Sequence, residues 1–210
     1  MATFVLIHGA GSDSWYWHLV TPQLEANGHD VVAVDLPCDD DDAGLQEYAD
    51  VVVDAIGARR DVILVAQSLG GFTAPLVCAR VPVVLMVLVA AMVPRPGEAP
   101  GDWWANTGHQ FPDPFDPAEV FTHDLPPALA AASLHHVRPQ SGTPFEAPWP
   151  LAAWPDVPTR FLLCRDDRFF PAAWLRGVVI DRLGIEPIVV PGGHCAYLSQ
   201  PCAIAEALVQ

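Results

Sequence analysis

The chain contains no lysine. Its cationic side chains are 10 arginines, set against 25 aspartates and glutamates for a formal net charge of -15. Such a surface repels nucleic acid, anionic membranes and acidic carrier proteins, and those partner classes are set aside. Cysteine is scarce too. Five residues (Cys38, Cys78, Cys164, Cys195, Cys202) make an odd number without paired spacing, the pattern of reduced thiols in a cytoplasmic protein rather than of a disulfide framework. There is no basic amino-terminal leader, so a cleaved signal peptide is not expected. The longest apolar run, Val81 to Val93, carries a proline and is too short to span a bilayer; it reads as a buried strand. Metal-ligand spacing is absent as well. The run Asp39-Asp40-Asp41-Asp42 reads as a solvated loop, because adjacent carboxylates rarely converge on one ion. His109, His123, His135 and His136 lack the spacing of a zinc site. No metal or organic cofactor is expected.

What is present is enough for one α/β domain. A chain of 210 residues that is 51% hydrophobic can bury a sizeable core. Strand-like runs at Thr3–Ile7, Val31–Val34, Asp61–Val65, Val83–Val89, Thr159–Leu163 and Ile185–Val190 alternate with helix-like stretches near Trp15–Ala26, Leu45–Ile56, Leu69–Ala79, Ala172–Leu183 and Pro201–Val209. That alternation predicts a six-stranded, mainly parallel sheet with helices on both faces. Between about Val93 and Asp156 it stops, and proline, tryptophan and histidine become frequent. Prolines at this density forbid long helices and central strands, so residues 93–156 are expected to form a short irregular cap inserted into a core of residues 1–92 and 157–210. Trp103, Trp104, Phe111, Phe115 and Trp149 either line a pocket under that cap or anchor it.

The chemistry is carried by Ala66-Gln67-Ser68-Leu69-Gly70-Gly71, which follows the β-branched run Val62–Val65 and precedes a helical stretch. This is the pattern of a nucleophile elbow, a turn so tight that small residues must stand two before and two after the serine. Ser68 is the candidate nucleophile. It needs an imidazole as base and a carboxylate to orient that imidazole. Both occur downstream, on loops expected at the carboxyl ends of strands: Asp166 or Asp167 after Thr159–Leu163, and His194 in Pro191-Gly192-Gly193-His194. Cys195 beside it is on no elbow and reads as a buried, inert thiol.

Four motifs stand in a specific order: Phe4-Val5-Leu6-Ile7-His8-Gly9-Ala10-Gly11 with Trp15 and Trp17, the elbow, Asp167 four residues before Pro171, and Gly192-Gly193-His194. On them the chain resembles an α/β-hydrolase of the plant-type methylesterase and hydroxynitrile lyase branch and its bacterial esterase relatives. The resemblance selects Asp167 over Asp166 and implies backbone N–H donors for an oxyanion from Ala10 and Leu69. It implies hydrolysis of a small carboxylic ester through an acyl-enzyme, with a small-molecule ester as the only partner; the oligomeric state is not legible. A hydroxynitrile lyase is the alternative within the branch. However, such enzymes typically carry threonine at the position of Gly9 and lysine after the histidine, where this chain has Cys195. A non-enzymatic ligand receptor of the same fold is the other alternative.

Overall fold

Along each strand, successive side chains face opposite sides of the sheet, and here both sets are apolar. The computed structural model describes residues 1–210. Its six strands are β1 (Thr3–Ile7), β2 (Asp30–Val34), β3 (Val62–Gln67), β4 (Leu85–Val89), β5 (Thr159–Cys164) and β6 (Ile188–Val190). They form one wholly parallel sheet in the order β2-β1-β3-β4-β5-β6. Val5, Ile7, Leu64, Ala66, Met86 and Leu88 belong to one buried cluster, whereas Phe4, Leu6, Val65, Val87 and Val89 belong to the other. The first cluster lies under α2 (Leu45–Ile56), α3 (Gly70–Cys78) and α7 (Ala172–Leu183), and the second under α1 (Thr21–Ala26), α8 (Ala196–Ser199) and α9 (Pro201–Val209). In α2 the buried residues Leu45, Tyr48, Ala49, Val52 and Ile56 fall on one stripe of a helix with 3.6 residues per turn.

The expected architecture is present, and proline accounts for the two largest boundary differences. The stretch expected as one helix from Trp15 is a 3-10 turn at Ser14–Trp17 followed by α1. Pro22 lacks the N–H that would join the two, and it opens the second. The last strand begins at Ile188, directly after Pro187, rather than at Ile185. The cap segment between β4 and β5 is more ordered than its composition implies. It holds α4 (Pro100–Thr107), α5 (Pro117–Phe121) and α6 (Pro127–Ser133), each opening on a proline. Proline's fixed φ suits the first helical position, so the same residues that keep these helices short also start them.

The chain runs from β1 outward to β2, then returns to the other side of β1 as β3. The loops after β1 and β3 therefore leave in opposite directions and open a crevice at the carboxyl edge, where open α/β sheets hold ligands.

Candidate active site

Only Ser68 and Leu69 separate the end of β3 from the start of α3. Ser68 has φ 51°, a left-handed conformation that costs a non-glycine residue about 1–3 kcal/mol. The surroundings enforce it. The Ser68 carbonyl accepts from Gly71 N–H (3.0 Å) and Met92 N–H (2.9 Å). A Cβ on Gly71 would overlap the Met92 carbonyl, and one on Gly70 would press to 3.2 Å on the His8 carbonyl and the Ile7 side chain. Both glycines are thus required by close approach, and the serine takes the strain. Leu69 caps α3, with its N–H in the unpaired first turn at the positive end of the helix dipole.

The acid and the histidine come from the loops after β5 and β6. His194 Nδ1 lies 2.8 Å from Asp167 Oδ2, and the other oxygen, Oδ1, accepts from Phe169 N–H and Phe170 N–H at 2.8 Å each. Both side chains are buried. A carboxylate on Nδ1 selects the tautomer that carries its proton there, leaving Nε2 as the free base. The rings of Phe121, Phe169 and Phe170 surround the imidazole at centroid distances of 5.4, 5.2 and 4.9 Å. Asp166 turns elsewhere. It pairs with Arg165 at 3.1 Å and accepts from Gly192 N–H at 3.1 Å, and the Arg165 hydrogen bond holds its carboxyl below the usual range.

The loop after β1 has a scaffold that sequence reasoning overlooked. Leu36 N–H donates to His8 Nε2 at 2.9 Å, so His8 carries its proton on Nδ1 and donates it to the Gly9 carbonyl at 2.7 Å. The Ser12 hydroxyl donates to the same carbonyl at 3.1 Å. Because a peptide unit is planar and trans, two donors on the Gly9 carbonyl direct the Ala10 N–H to the opposite side. Burial pushes the His8 pKa down, which favours the neutral ring this network needs. Two hydrogen bonds tie the loop to the cap segment: Gly11 N–H donates to Gln140 Oε1 at 3.0 Å, and the Gly11 carbonyl accepts from Arg138 N–H at 2.9 Å. Gly9 does not leave this loop open, as its lack of a side chain suggests. A Cβ there would overlap Gln67 Oε1 and lie 2.8 Å from Ser68 Cβ. Gln67 fills that space and also donates to the His194 carbonyl at 3.3 Å.

Ala10, Ser68, Leu69 and His194 line one cavity of about 670 Å³. Its walls are mostly apolar: Tyr16, Met92, Trp104, Phe121, Phe145 and Phe169 contribute. Among the cap aromatics, Trp104 faces the cavity, whereas Trp103 and Trp149 are fully buried anchors, donating from their indoles to the Val93 and Phe72 carbonyls. Phe111 and Phe115 are exposed. The single arginine on the wall, Arg138, is occupied by the Leu36 carbonyl at 2.9 Å and Asp39 at 2.5 Å. Asp39 thus serves an ion pair, and no cluster in the structure could hold a metal. Cys195 is buried with its thiol pKa pushed up to about 12 by desolvation, which suits an inert role. No disulfide joins the five cysteines, and no helix is long and apolar enough to cross a membrane.

Comparison with known proteins gives a family match and similar relatives. A model of the alpha/beta hydrolase family matches residues 4–207. The chain is similar to salicylic acid-binding protein 2 of Nicotiana tabacum, 29% identical over 254 residues that cover 99% of this chain and 95% of that protein. A shorter match, to methylesterase 7 of Arabidopsis thaliana, is 39% identical over 104 residues, covering 43% of this chain and 40% of the relative. Among solved structures, a pyrethroid hydrolase from Sphingobium faniae JZ-2 aligns with a TM-score of 0.81 at 25% identity, covering 99% of this chain and 96% of its own.

Proposed function

The chain belongs to the alpha/beta hydrolase family, and from that premise we propose that it is a carboxylic ester hydrolase working through a Ser68–His194–Asp167 triad and an acyl-enzyme. His194 Nε2 takes the proton of Ser68 as the hydroxyl attacks the ester carbonyl. Asp167 keeps the imidazole in the required tautomer and offsets its developing charge. The Ala10 and Leu69 N–H groups receive the oxyanion, and the alcohol leaves with the proton from His194. Water, activated by the same nitrogen, then releases the acid.

The observation that supports this reading most is that a strained serine at a strand-to-helix turn shares one cavity with a histidine whose Nδ1 lies 2.8 Å from a buried carboxylate. The cavity also speaks to the substrate. Its walls are mainly apolar and its one guanidinium is already neutralised by Asp39, so it suits an uncharged ester with an apolar acyl or alcohol part. The names of the relatives, a methylesterase and a pyrethroid hydrolase, are consistent with such a substrate. The lyase alternative is disfavoured by the crowding at Gly9, where a threonine would collide with Gln67 and Ser68, and by Cys195 in place of a lysine.

The test is steady-state and burst hydrolysis of p-nitrophenyl esters from acetate to octanoate, comparing wild type with Ser68→Ala, Asp167→Asn and His194→Ala. Losses in kcat of about 10⁴-fold or more are expected for each variant, with a preferred acyl length in the wild type. A wild type no faster than Ser68→Ala refutes the triad.

A further inference from the structure

The loop that carries His194 is held from the core side, where Gly192 exchanges hydrogen bonds with Asp166 and Gln67 donates to the His194 carbonyl. It holds Gly192 (φ 102°) and Gly193 in succession, and glycine has the least backbone restraint of any residue. A base that must stand within hydrogen-bond reach of both Asp167 and Ser68 cannot rest on a loose loop. The cap segment supplies a further tie, next to the histidine itself. Asp124, in the turn between α5 and α6, accepts from Gly193 N–H at 2.7 Å and from the Ser199 hydroxyl in α8 at 2.6 Å, both through Oδ2. Gly193 N–H belongs to the residue directly before His194. The absence of a side chain at Gly193 permits this approach, since a Cβ there would stand 3.0 Å from Asp124 Oδ1 and 2.8 Å from His123 Nε2.

The other oxygen, Asp124 Oδ1, is shut off from solvent and has no partner. A desolvated carboxylate oxygen without a hydrogen bond is unfavourable for folding. The neighbouring residues repeat the theme. His123 Nε2 donates to the Asp166 carbonyl at 3.1 Å, beside Asp167, and Phe121 packs on the His194 ring. Phe121, His123 and Asp124 thus grip both loops that carry the acid and the base. Asp124 is absent from the cavity wall.

We propose that Asp124 is a positioning residue: by holding Gly193 N–H from the cap, it sets His194 between Asp167 and Ser68. This rests on the reading of His194 as the base. Because both hydrogen bonds run to one oxygen, an asparagine can keep them with its carbonyl, whereas an alanine cannot.

The experiment measures kcat and KM for p-nitrophenyl butyrate with wild type, Asp124→Ala, Asp124→Asn and His194→Ala. Asp124→Ala is expected to lose about 10²-fold in kcat, the scale of an ångström-level misplacement, with KM within about twofold. Asp124→Asn is expected to recover to within about threefold of wild type, a rescue that a charge effect would not show. The inference is overturned if Asp124→Ala keeps wild-type kcat, if its defect lies in KM alone, or if asparagine is as impaired as alanine. Should Asp124→Ala not fold, Ser199→Ala removes one of the two donors that fix the carboxylate. A kcat loss of about threefold or more is then expected, and an unchanged kcat overturns the inference. An active His194→Ala would instead refute the base assignment, so the two failures are distinguishable.

Discussion

His8 offers the sharpest probe of how this scaffold prepares an oxyanion site. Replacing it with leucine keeps an apolar side chain of comparable bulk but deletes the Nδ1–H donor to the Gly9 carbonyl and the Nε2 acceptor of Leu36 N–H. The Leu36 N–H is left buried without a partner, which costs about 1–3 kcal/mol. The Gly9 carbonyl keeps one donor, Ser12 Oγ at 3.1 Å, so the Gly9–Ala10 peptide unit is loosened rather than released. Complete loss of an oxyanion donor lowers kcat by about 10²–10³-fold, and partial loosening is expected to cost about 10-fold, with KM little changed. The double variant His8→Leu/Ser12→Ala removes both donors and is expected to approach the full loss. Urea unfolding reads the first effect and p-nitrophenyl butyrate turnover the second. If the double variant is destabilised yet keeps wild-type kcat, the peptide plane is held by other means and the reasoning fails.

Other expectations follow from the same contacts. Burial lowers the pKa of His8 and of His109 from 6.5; the unfolded chain therefore takes up protons that the folded one refuses. Their stabilising contribution is fully present above about pH 6.5 and is lost as pH falls toward the depressed folded values, ahead of the carboxylates, which titrate near about 4. Thermal melts between about pH 8 and 5 should fall along this course, and a flat or rising melting temperature would contradict it. Gly71→Ala drives a Cβ into the Met92 carbonyl. A loss of about 3 kcal/mol or more is expected by chemical denaturation, and a change below about 1 kcal/mol would show that α3 can slide on β4. Thiol labelling of the native protein should reach Cys202 alone: it is exposed, Cys38, Cys164 and Cys195 are buried, and desolvation raises the Cys78 thiol to about 12. Rapid native labelling of a second cysteine by mass spectrometry would refute the packing of that region.

The six strands and the helices α2, α3, α7 and α9 were legible because their signals are local. Short, continuous apolar runs placed β1 and β3 within two residues, and the helix-like stretch expected at Leu45–Ile56 matches α2 at both ends. Ser68 could be singled out for the same reason: small residues on both sides of a serine after a β-branched run encode a turn over six positions. The short helices of the cap were harder to see, since proline breaks a helix inside it but favours its first turn, and only position relative to the boundary decides which.

Pairings across long stretches of chain had to wait for the folded molecule, because hydrogen bonds between distant segments leave no periodicity behind. Asp166 and Asp167 are chemically identical neighbours, told apart in the sequence only by the family resemblance, which selects Asp167. The turn after β5 sends one to Arg165 and Gly192 N–H and the other to His194, across 27 positions. His8 looked like part of a glycine motif until Leu36 N–H fixed its tautomer. Gln67 had no assigned role until the space beside Gly9 proved to be filled by its amide. Asp124 was invisible in a proline-rich segment, and its meaning comes from a contact with Gly193 that lies 69 positions away. Local patterning sufficed for the six strands, most of the core helices, their parallel winding and the residue types able to do acyl chemistry. Folding decided which of those groups meet, since a hydrogen bond needs its partners within about 3 Å and only the packed sheet brings them there.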